Sequence, residues 1–340
     1  MREPAFWWDP DGGRWWLRPF AGVYGIAAAM RMRSAGRRAG VPVICLGNLT
    51  VGGAGKTPAA MEVGRLLLAA HERPYFLTRG YGGRLAGPVR VEPARHTAAA
   101  VGDEPLLLAR LAPTIVSRDR VAGAEAAHRD GATVIVMDDG FQNPSLTKDL
   151  SVVLVDGRRG IGNGHVVPAG PLRAPLEAQL ENAHAIVVVG PPQGAAAVVE
   201  SAKRLGVAIF HARLVPDAAM IAAIGSRPVL AFAGIGNPEK FFATLIEAGI
   251  AVAEQMSFPD HHAYTAGEAR ALLRAAAADN LLLLTTEKDL MRLGARRRLA
   301  ALATRANALP VRLVIEEADA FRALILKTVT QPIASPSLVP

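Results

Sequence analysis

Short apolar runs rich in β-branched residues recur along the chain at 41–47, 75–78, 114–116, 133–137, 151–155 and 185–189, with helical stretches between them. That alternation predicts an α/β fold, a doubly wound and mostly parallel sheet with helices on its faces. A second series follows at 229–235, 250–256 and 281–285, and the stretches 238–248 and 266–277 between its members read as helices. It predicts a second, smaller α/β domain. Two further strand-like pieces, 207–215 and 311–315, flank that series and are expected to pair as a two-stranded linker. The chain then leaves the first domain, builds the second and returns into a last helix at 318–329. The division is 1–34 for an N-terminal helical segment, 35–206 for the larger domain, 207–218 for the outgoing linker strand, 219–308 for the smaller domain, 309–330 for the return strand and final helix, and 331–340 for a loose tail.

One interval of this pattern carries chemistry. Gly47-Asn-Leu-Thr-Val-Gly-Gly-Ala-Gly-Lys-Thr-Pro58 lies between the apolar strand Val41 to Leu46 and a helical run from Ala59 to Ala70, the setting of a P-loop. Gly52, Gly53 and Gly55 let the backbone curl so that N–H groups point at phosphate oxygens; Lys56 reaches the terminal phosphates and Thr57 offers a hydroxyl to Mg²⁺. Thr50 stands where the strict pattern has glycine, and with Ala54 it completes the expected nucleotide-contacting set. Further on, Val134-Ile-Val-Met-Asp138-Asp139 reads as a buried parallel strand whose carboxylates emerge at its C-terminal edge, where open α/β sheets bind ligands. Alone it would be a solvated strand end or a helix cap; beside a P-loop, Mg²⁺ ligation by Asp138 and Asp139 is the better reading. ATP with Mg²⁺ is the expected ligand pair.

Composition narrows the partners. A chain of 340 residues, 51% hydrophobic, can bury two sizeable cores. The single cysteine, Cys45, falls inside the strand before the P-loop, so no disulfide framework exists and a buried, inert thiol in a reducing compartment is expected. A formal charge of +8 points to an anionic partner, yet the basic residues are scattered and aromatics are few beyond the N-terminus. Anionic lipid or a phosphorylated substrate therefore fits better than nucleic acid, which is not expected as a partner. All four tryptophans, Trp7, Trp8, Trp15 and Trp16, precede an uncharged run from Pro19 to Met30, itself followed by Arg31, Arg33, Arg37 and Arg38. That run is shorter than the roughly 20 residues needed to span a bilayer. Phe20, Val23, Tyr24 and Ala27 share one helical face, which suits an interfacial helix; a helix packed on the main domain is the alternative. Glu3, Asp9 and Asp11 argue against a signal peptide.

The remaining motifs, in order, are Arg79-Gly-Tyr-Gly82, Gly102-Asp-Glu-Pro105, Asp119-Arg120, Asp138-Asp-Gly-Phe-Gln142, Pro168-Ala-Gly-Pro-Leu-Arg173, Phe258-Pro-Asp-His-His262 and Thr285-Thr-Glu-Lys-Asp289. With the P-loop, this ordered set closely resembles the tetraacyldisaccharide 4'-kinase family of lipid A biosynthesis over about residues 15–320. The resemblance implies a P-loop kinase-like fold with two α/β domains joined by a two-stranded linker. It also implies transfer of the γ-phosphoryl group of Mg-ATP to the 4'-hydroxyl of a tetraacyldisaccharide 1-phosphate, at the cytoplasmic face of the inner membrane, with no obligate protein partner. By the same resemblance Asp103 is the catalytic carboxylate, oriented by His261 and acting with Lys56. Arg79, Arg120 and Arg173 serve the ATP phosphates and the substrate 1-phosphate, in an order left open. Tyr81, Glu104 and Gln142 belong to the substrate and phosphate side.

Each motif also has a reading of its own. A guanidinium after a turn or strand end can clamp phosphate with two hydrogen bonds, or simply sit on the surface. Asp103 and Glu104 ahead of Pro105 and an apolar run have the look of a helix N-cap with an acid in the first turn. Adjacent His261 and His262 point to opposite sides of an extended segment, which disfavours a protein-only zinc site. Thr286 and Asp289 are spaced as a capping box. Ala174 and Asn143 depart from the glutamate and histidine many family members carry at those places. A rival of another class is a P-loop GTPase or ATPase switch at the membrane, which would hydrolyse nucleotide without an acceptor.

Overall fold

The computed structural model describes residues 3–9, 11–53, 55–294 and 297–330. Ala54 of the P-loop and the tail 331–340 lie outside the described residues. The strands in chain order are β1 Val43–Asn48, β2 Pro74–Thr78, β3 Val89–Arg90, β4 Thr114–Val116, β5 Val134–Asp138, β6 Leu150–Asp156, β7 Ala185–Val189, β8 Ala208–Pro216, β9 Val229–Ala233, β10 Val252–Ser257, β11 Leu282–Thr286, β12 Asn307–Leu309 and β13 Val311–Ile315. Two sheets form among the described residues: nine strands ordered β13-β8-β7-β6-β1-β5-β2-β4-β3, and four ordered β10-β9-β11-β12.

The larger sheet is parallel except at its two edges, where β13 on β8 and β3 on β4 run antiparallel. Its central strands are covered on both sides, and their period-two alternation divides them between two cores. Val43, Cys45, Ile135, Met137 and Val153 feed one. Ile44, Leu46, Val134, Val136 and Val152 feed the other. The helix Lys56–Ala69 closes the second core through Ala59, Ala60, Val63 and Leu67. Because β1 lies between β5 and β6, the chain turns to opposite sides of the sheet on either side of it, and the P-loop leaves the sheet at that switch point.

The smaller sheet is all parallel. β9 is buried along its length, whereas edge strand β10 alternates between half-buried and exposed positions. The two pieces expected to form a linker do pair, antiparallel, as β8 and β13, and β8 also belongs to the larger sheet. The first half of β8, Ala208–Ala212, pairs in parallel with β7 and completes the larger sheet. Ala212 pairs on both sides, and only Arg213–Pro216 pairs with β13 alone. The connection is thus an extension of the main sheet, which gives the smaller unit a stiff attachment.

The helix Arg18–Met32 lies on the larger unit by a face of small residues: Ala21, Gly25 and Ala28 are buried. Its other side, with Phe20, Val23, Tyr24, Ile26 and Met30, is exposed. The four tryptophans divide in the same way. Trp7 is buried and donates through Nε1 to the Pro168 carbonyl at 3.0 Å, and Trp8 donates to Glu3 at 2.9 Å. Trp15 and Trp16 are 76% and 51% exposed. No helix among the described residues is long and apolar enough to cross a membrane.

Candidate active site

The P-loop is shaped by a residue that the motif itself does not single out. Asn48, the last residue of β1, donates through Nδ2 to the carbonyls of Thr50 at 2.6 Å and Gly52 at 2.9 Å, and its Oδ1 accepts from Lys56 at 3.2 Å. Thr50 is buried and bridges to Leu172, so the non-glycine position of the pattern serves the loop's anchorage. Gly52 and Gly55 have φ of 109° and 85°, values that side chains with a Cβ rarely adopt, and Gly55 immediately precedes the helix Lys56–Ala69. The carboxylate of Glu3 lies against Gly52. Gly53 is exposed at the loop's tip.

Lys56 pairs with Asp139 at 3.7 Å, and Arg173 joins the same carboxylate oxygen at 3.3 Å while donating through Nε to the Thr50 carbonyl at 3.0 Å. Burial raises the Asp139 pKa, but Lys56, Arg173 and Arg120 outweigh it and hold the group below its ordinary value. Asp138 is the opposite case. It is fully buried, neither carboxylate oxygen has a hydrogen-bond partner, and burial together with Glu104 pushes its pKa up to about 7. An orphaned buried carboxylate is costly unless a cation meets it. The donor set of Asp138 and the Thr57 hydroxyl, with Asp139 next in sequence, is the all-oxygen chemistry that suits Mg²⁺. Among the described residues no cluster of three histidine, cysteine or acidic side chains forms a ready-made metal site.

The other wall comes from the helix Asp103–Leu108 and from the smaller unit. Gly102, with φ 95°, lets the chain pass close to the Tyr81 carbonyl and brings Asp103 to the helix start. Neither carboxylate acts as a side-chain cap for that helix. Asp103 is buried; its Oδ2 accepts from Arg292 Nε at 2.7 Å and its Oδ1 lies 3.4 Å from His261 Nδ1. Burial alone would raise its pKa, yet His261, Arg292 and Lys288 together hold it well below the usual carboxylate range. His261 is in turn raised, burial being overcome by Asp103. Glu104 accepts from Lys288 at 2.5 Å and from the Thr57 hydroxyl at 3.4 Å. Burial opposes ionisation of both partners, but each stabilises the other's charge: Glu104 is lowered and Lys288 raised.

His261 and His262 do diverge, though by a turn in which His261 has φ 52° rather than by the alternation of an extended strand. His262 bonds Glu268 at 3.0 Å and stacks on Phe258. Thr286 caps its helix, accepting from the Asp289 amide at 3.1 Å, and its hydroxyl donates back to the Asp289 carboxylate at 2.6 Å, so the expected pair does meet, through the two side chains. The Asp289 carboxylate also receives Tyr264, the Gly234 amide and Arg292.

The remaining expected residues separate clearly. Tyr81 is exposed and its ring lies 4.8 Å from that of His261. Arg79 is exposed, on the strand end that leads to it. Arg120 is buried, with its guanidinium donating to the Ser117 carbonyl at 2.7 Å and the Asp139 carbonyl at 3.3 Å. The fork expected to grip phosphate holds the Asp139 turn here. Gln142 similarly donates to the Asn48 carbonyl at 2.8 Å and to Gln179 at 2.9 Å, bracing β1 where the loop begins. Asn143 is exposed and Ala174 fully buried. Sequence reading missed Asn48, Lys288 and Arg292; the last two had a legible signal, one helical turn apart beside the Thr285–Asp289 motif.

Two cavities, each of about 370 Å³, meet at this wall. The first runs from Gly52–Thr57 past Asp139 and Arg173 to Lys240, Asp260 and Lys288. The second is lined by Arg84, Asp103, Tyr264 and Arg292, and both share Tyr81 and His261.

Similarity in sequence and fold identifies the family of the chain. The sequence model of the family described as LpxK, tetraacyldisaccharide-1-P 4'-kinase, matches residues 13–330. A tetraacyldisaccharide 4'-kinase of Rhodopseudomonas palustris strain BisB18 is 51% identical over 97% of this chain and 97% of its own length. The enzyme of that name from Methylobacterium radiotolerans is 54% identical over 95% of this chain and 97% of its own. Among solved structures, LpxK from Aquifex aeolicus in complex with ATP superposes with a TM-score of 0.69 at 27% identity, covering 92% of this chain and 98% of that one. The chain belongs to the tetraacyldisaccharide-1-P 4'-kinase family, ATP-dependent kinases of lipid A biosynthesis.

Proposed function

We propose that this kinase divides the transfer of the γ-phosphoryl group of ATP to the 4'-hydroxyl of tetraacyldisaccharide 1-phosphate between its two walls. Lys56 and the amides of Gly52–Gly55 neutralise charge on the donor phosphates, and Arg173 stands beside them on the same cavity. Thr57, Asp138 and Asp139 hold Mg²⁺, which when bound offsets negative charge on the phosphate oxygens. The acceptor hydroxyl enters where the two cavities meet, and Asp103 takes its proton while His261 holds the carboxylate in place. Asp103 is a weak base, because His261, Arg292 and Lys288 stabilise its charge. A loose transition state tolerates that, since the proton leaves late, after the bond to phosphorus has begun to form. The single observation that carries this reading is a buried Asp103 on the second cavity, which meets the cavity of the P-loop lysine at Tyr81 and His261.

The N-terminal helix supports a membrane position. Its exposed face combines Phe20, Val23, Tyr24, Ile26 and Met30 with Trp15 and Trp16, and exposed Arg31, Arg33, Arg37 and Arg38 follow. Aromatic and aliphatic side chains bordered by arginines fit an anionic bilayer surface, in keeping with a peripheral enzyme on the cytoplasmic face of the inner membrane. The deciding experiment is transfer of label from γ-labelled ATP to purified disaccharide 1-phosphate, with a control lacking lipid. Label on the lipid is expected; release of phosphate at the same rate with and without lipid would instead indicate a hydrolytic switch.

A further inference from the structure

The helix Glu287–Gly294 lies outside the nucleotide loop, and it carries the two cations that grip the adjacent carboxylates of the opposite unit. Lys288 and Arg292, four residues apart, fall on one helical face. Lys288 meets Glu104 and Arg292 meets Asp103, across 184 and 189 residues of sequence. Arg292 is the more constrained of the two. Its Nη1 donates to the Gly234 carbonyl at 2.6 Å and to Asp289 at 2.9 Å, so the guanidinium is fixed from behind before its Nε reaches Asp103. Asp289 is itself held by Tyr264 at 2.8 Å and the Gly234 amide at 3.1 Å. The remaining nitrogen, Nη2, is buried without a partner.

From this geometry we infer that Arg292 is a positioning residue for the proton-accepting carboxylate. Braced by Asp289 and Gly234, it fixes the Asp103 side chain and makes its competence depend on docking of the smaller unit. The inference rests on the assignment of Asp103 as the base. A two-point hold on Asp103, Nε of Arg292 on one oxygen and Nδ1 of His261 on the other, leaves the carboxylate little rotational freedom. Both holds come from the smaller unit, as does Lys288 on Glu104; separation of the units would release all three together. The other charged groups near Asp103 are Glu104 on its own helix, Asp260 beside His261, Lys56 facing Glu104 from the P-loop helix, and Arg84 on the second cavity. Arg292 is the permanently charged group in contact with Asp103, at 2.7 Å, and His261 is the titratable one, at 3.4 Å.

The test uses the full chain with γ-labelled ATP and dispersed disaccharide 1-phosphate, reading kcat, KM for ATP and the pH profile. In Arg292→Met, kcat is expected to fall by about 10², the scale of a misplaced reacting group. Its acid limb should move upward by roughly 1–3 pH units, the usual effect of removing an adjacent opposite charge. KM for ATP should stay unchanged, because Arg292 does not line the nucleotide cavity. Arg292→Lys should return the limb to its place while recovering kcat only in part. The double variant Asp103→Asn with Arg292→Met should be no slower than Asp103→Asn alone. A merely structural role would lower thermal stability and kcat in Arg292→Met with the pH profile unmoved, and that result overturns the inference. Full activity in Asp103→Asn is a separate outcome, since it removes the base assignment itself.

Discussion

Lys56 is held by Asn48, eight residues away, while Asp103 is held by Arg292, 189 residues away. The first pairing belongs to a single strand-loop-helix segment, whose shape is set by the Nδ2 bonds of Asn48 and by Gly55 at the helix entrance. The second needs both sheets folded and docked. Nucleotide and acceptor sides of the cleft therefore differ in what can disturb them: the loop answers to local substitutions, whereas the carboxylates answer to anything that moves the smaller unit.

The largest expected effect is on the local side. Lys56→Ala and Thr57→Ala should each reduce transfer to background with unchanged thermal unfolding, and a normal rate in either variant would remove the P-loop from the mechanism. On the docked side, Asp103→Asn should lower kcat by about 10² or more, within the range of general acid-base catalysis, with ATP affinity retained. His261→Ala should cost less, and the pair together little more than Asp103→Asn alone; multiplicative losses would mean that the two act independently.

A third region tests whether the surface helix is separable from both walls. Phe20→Ser and Ile26→Ser lie on its exposed face, so each should weaken binding to vesicles of anionic lipid by roughly ten- to a hundredfold, from about 1.5–3 kcal/mol per buried apolar side chain. Thermal stability should not change. Deleting the whole N-terminus is a poorer test, because buried Trp7 is anchored to the Pro168 carbonyl. If the serine variants sediment with vesicles as the parent does, the face has another role.

The smallest effect concerns the orphaned carboxylate. Asp138 has a pKa of about 7 when folded against 3.8 as its ordinary value, so between these the folded, metal-free protein binds a proton that the unfolded chain has lost. Its contribution to stability therefore falls as pH rises through that window and levels off above it. In chelator-treated protein Asp138→Asn should flatten this slope and raise the unfolding temperature modestly at pH 8. The same variant should lose the stabilisation that added Mg²⁺ gives the parent. A stability curve identical in shape for parent and variant would place the proton elsewhere.

Much of the fold was legible because burial writes itself into short range. Strands covered on both faces must be apolar throughout, so β1, β5, β6 and β7 stand out as runs, and the acids closing β5 stand out against them. The short edge strands β3 and β12 did not, for two or three residues are too few to show an alternation. The paired arginines show the limit of reading residue type: Arg79 and Arg120 share a motif chemistry, but one is exposed and the other spends its fork on backbone carbonyls.

The sequence by itself determined the phosphate loop, its lysine and hydroxyl, and the acidic strand end, because each is a contiguous segment whose backbone geometry follows from its own glycines, caps and apolar neighbours. The family resemblance set His261 beside Asp103, but only the tertiary structure decided that Arg292 clasps the other oxygen, that Glu104 meets Lys288, and that Asp138 is left without a partner. Those are statements about charges brought together from distant parts of the chain. Their ionisation depends on burial and on one another, and neither exists until the two sheets are packed.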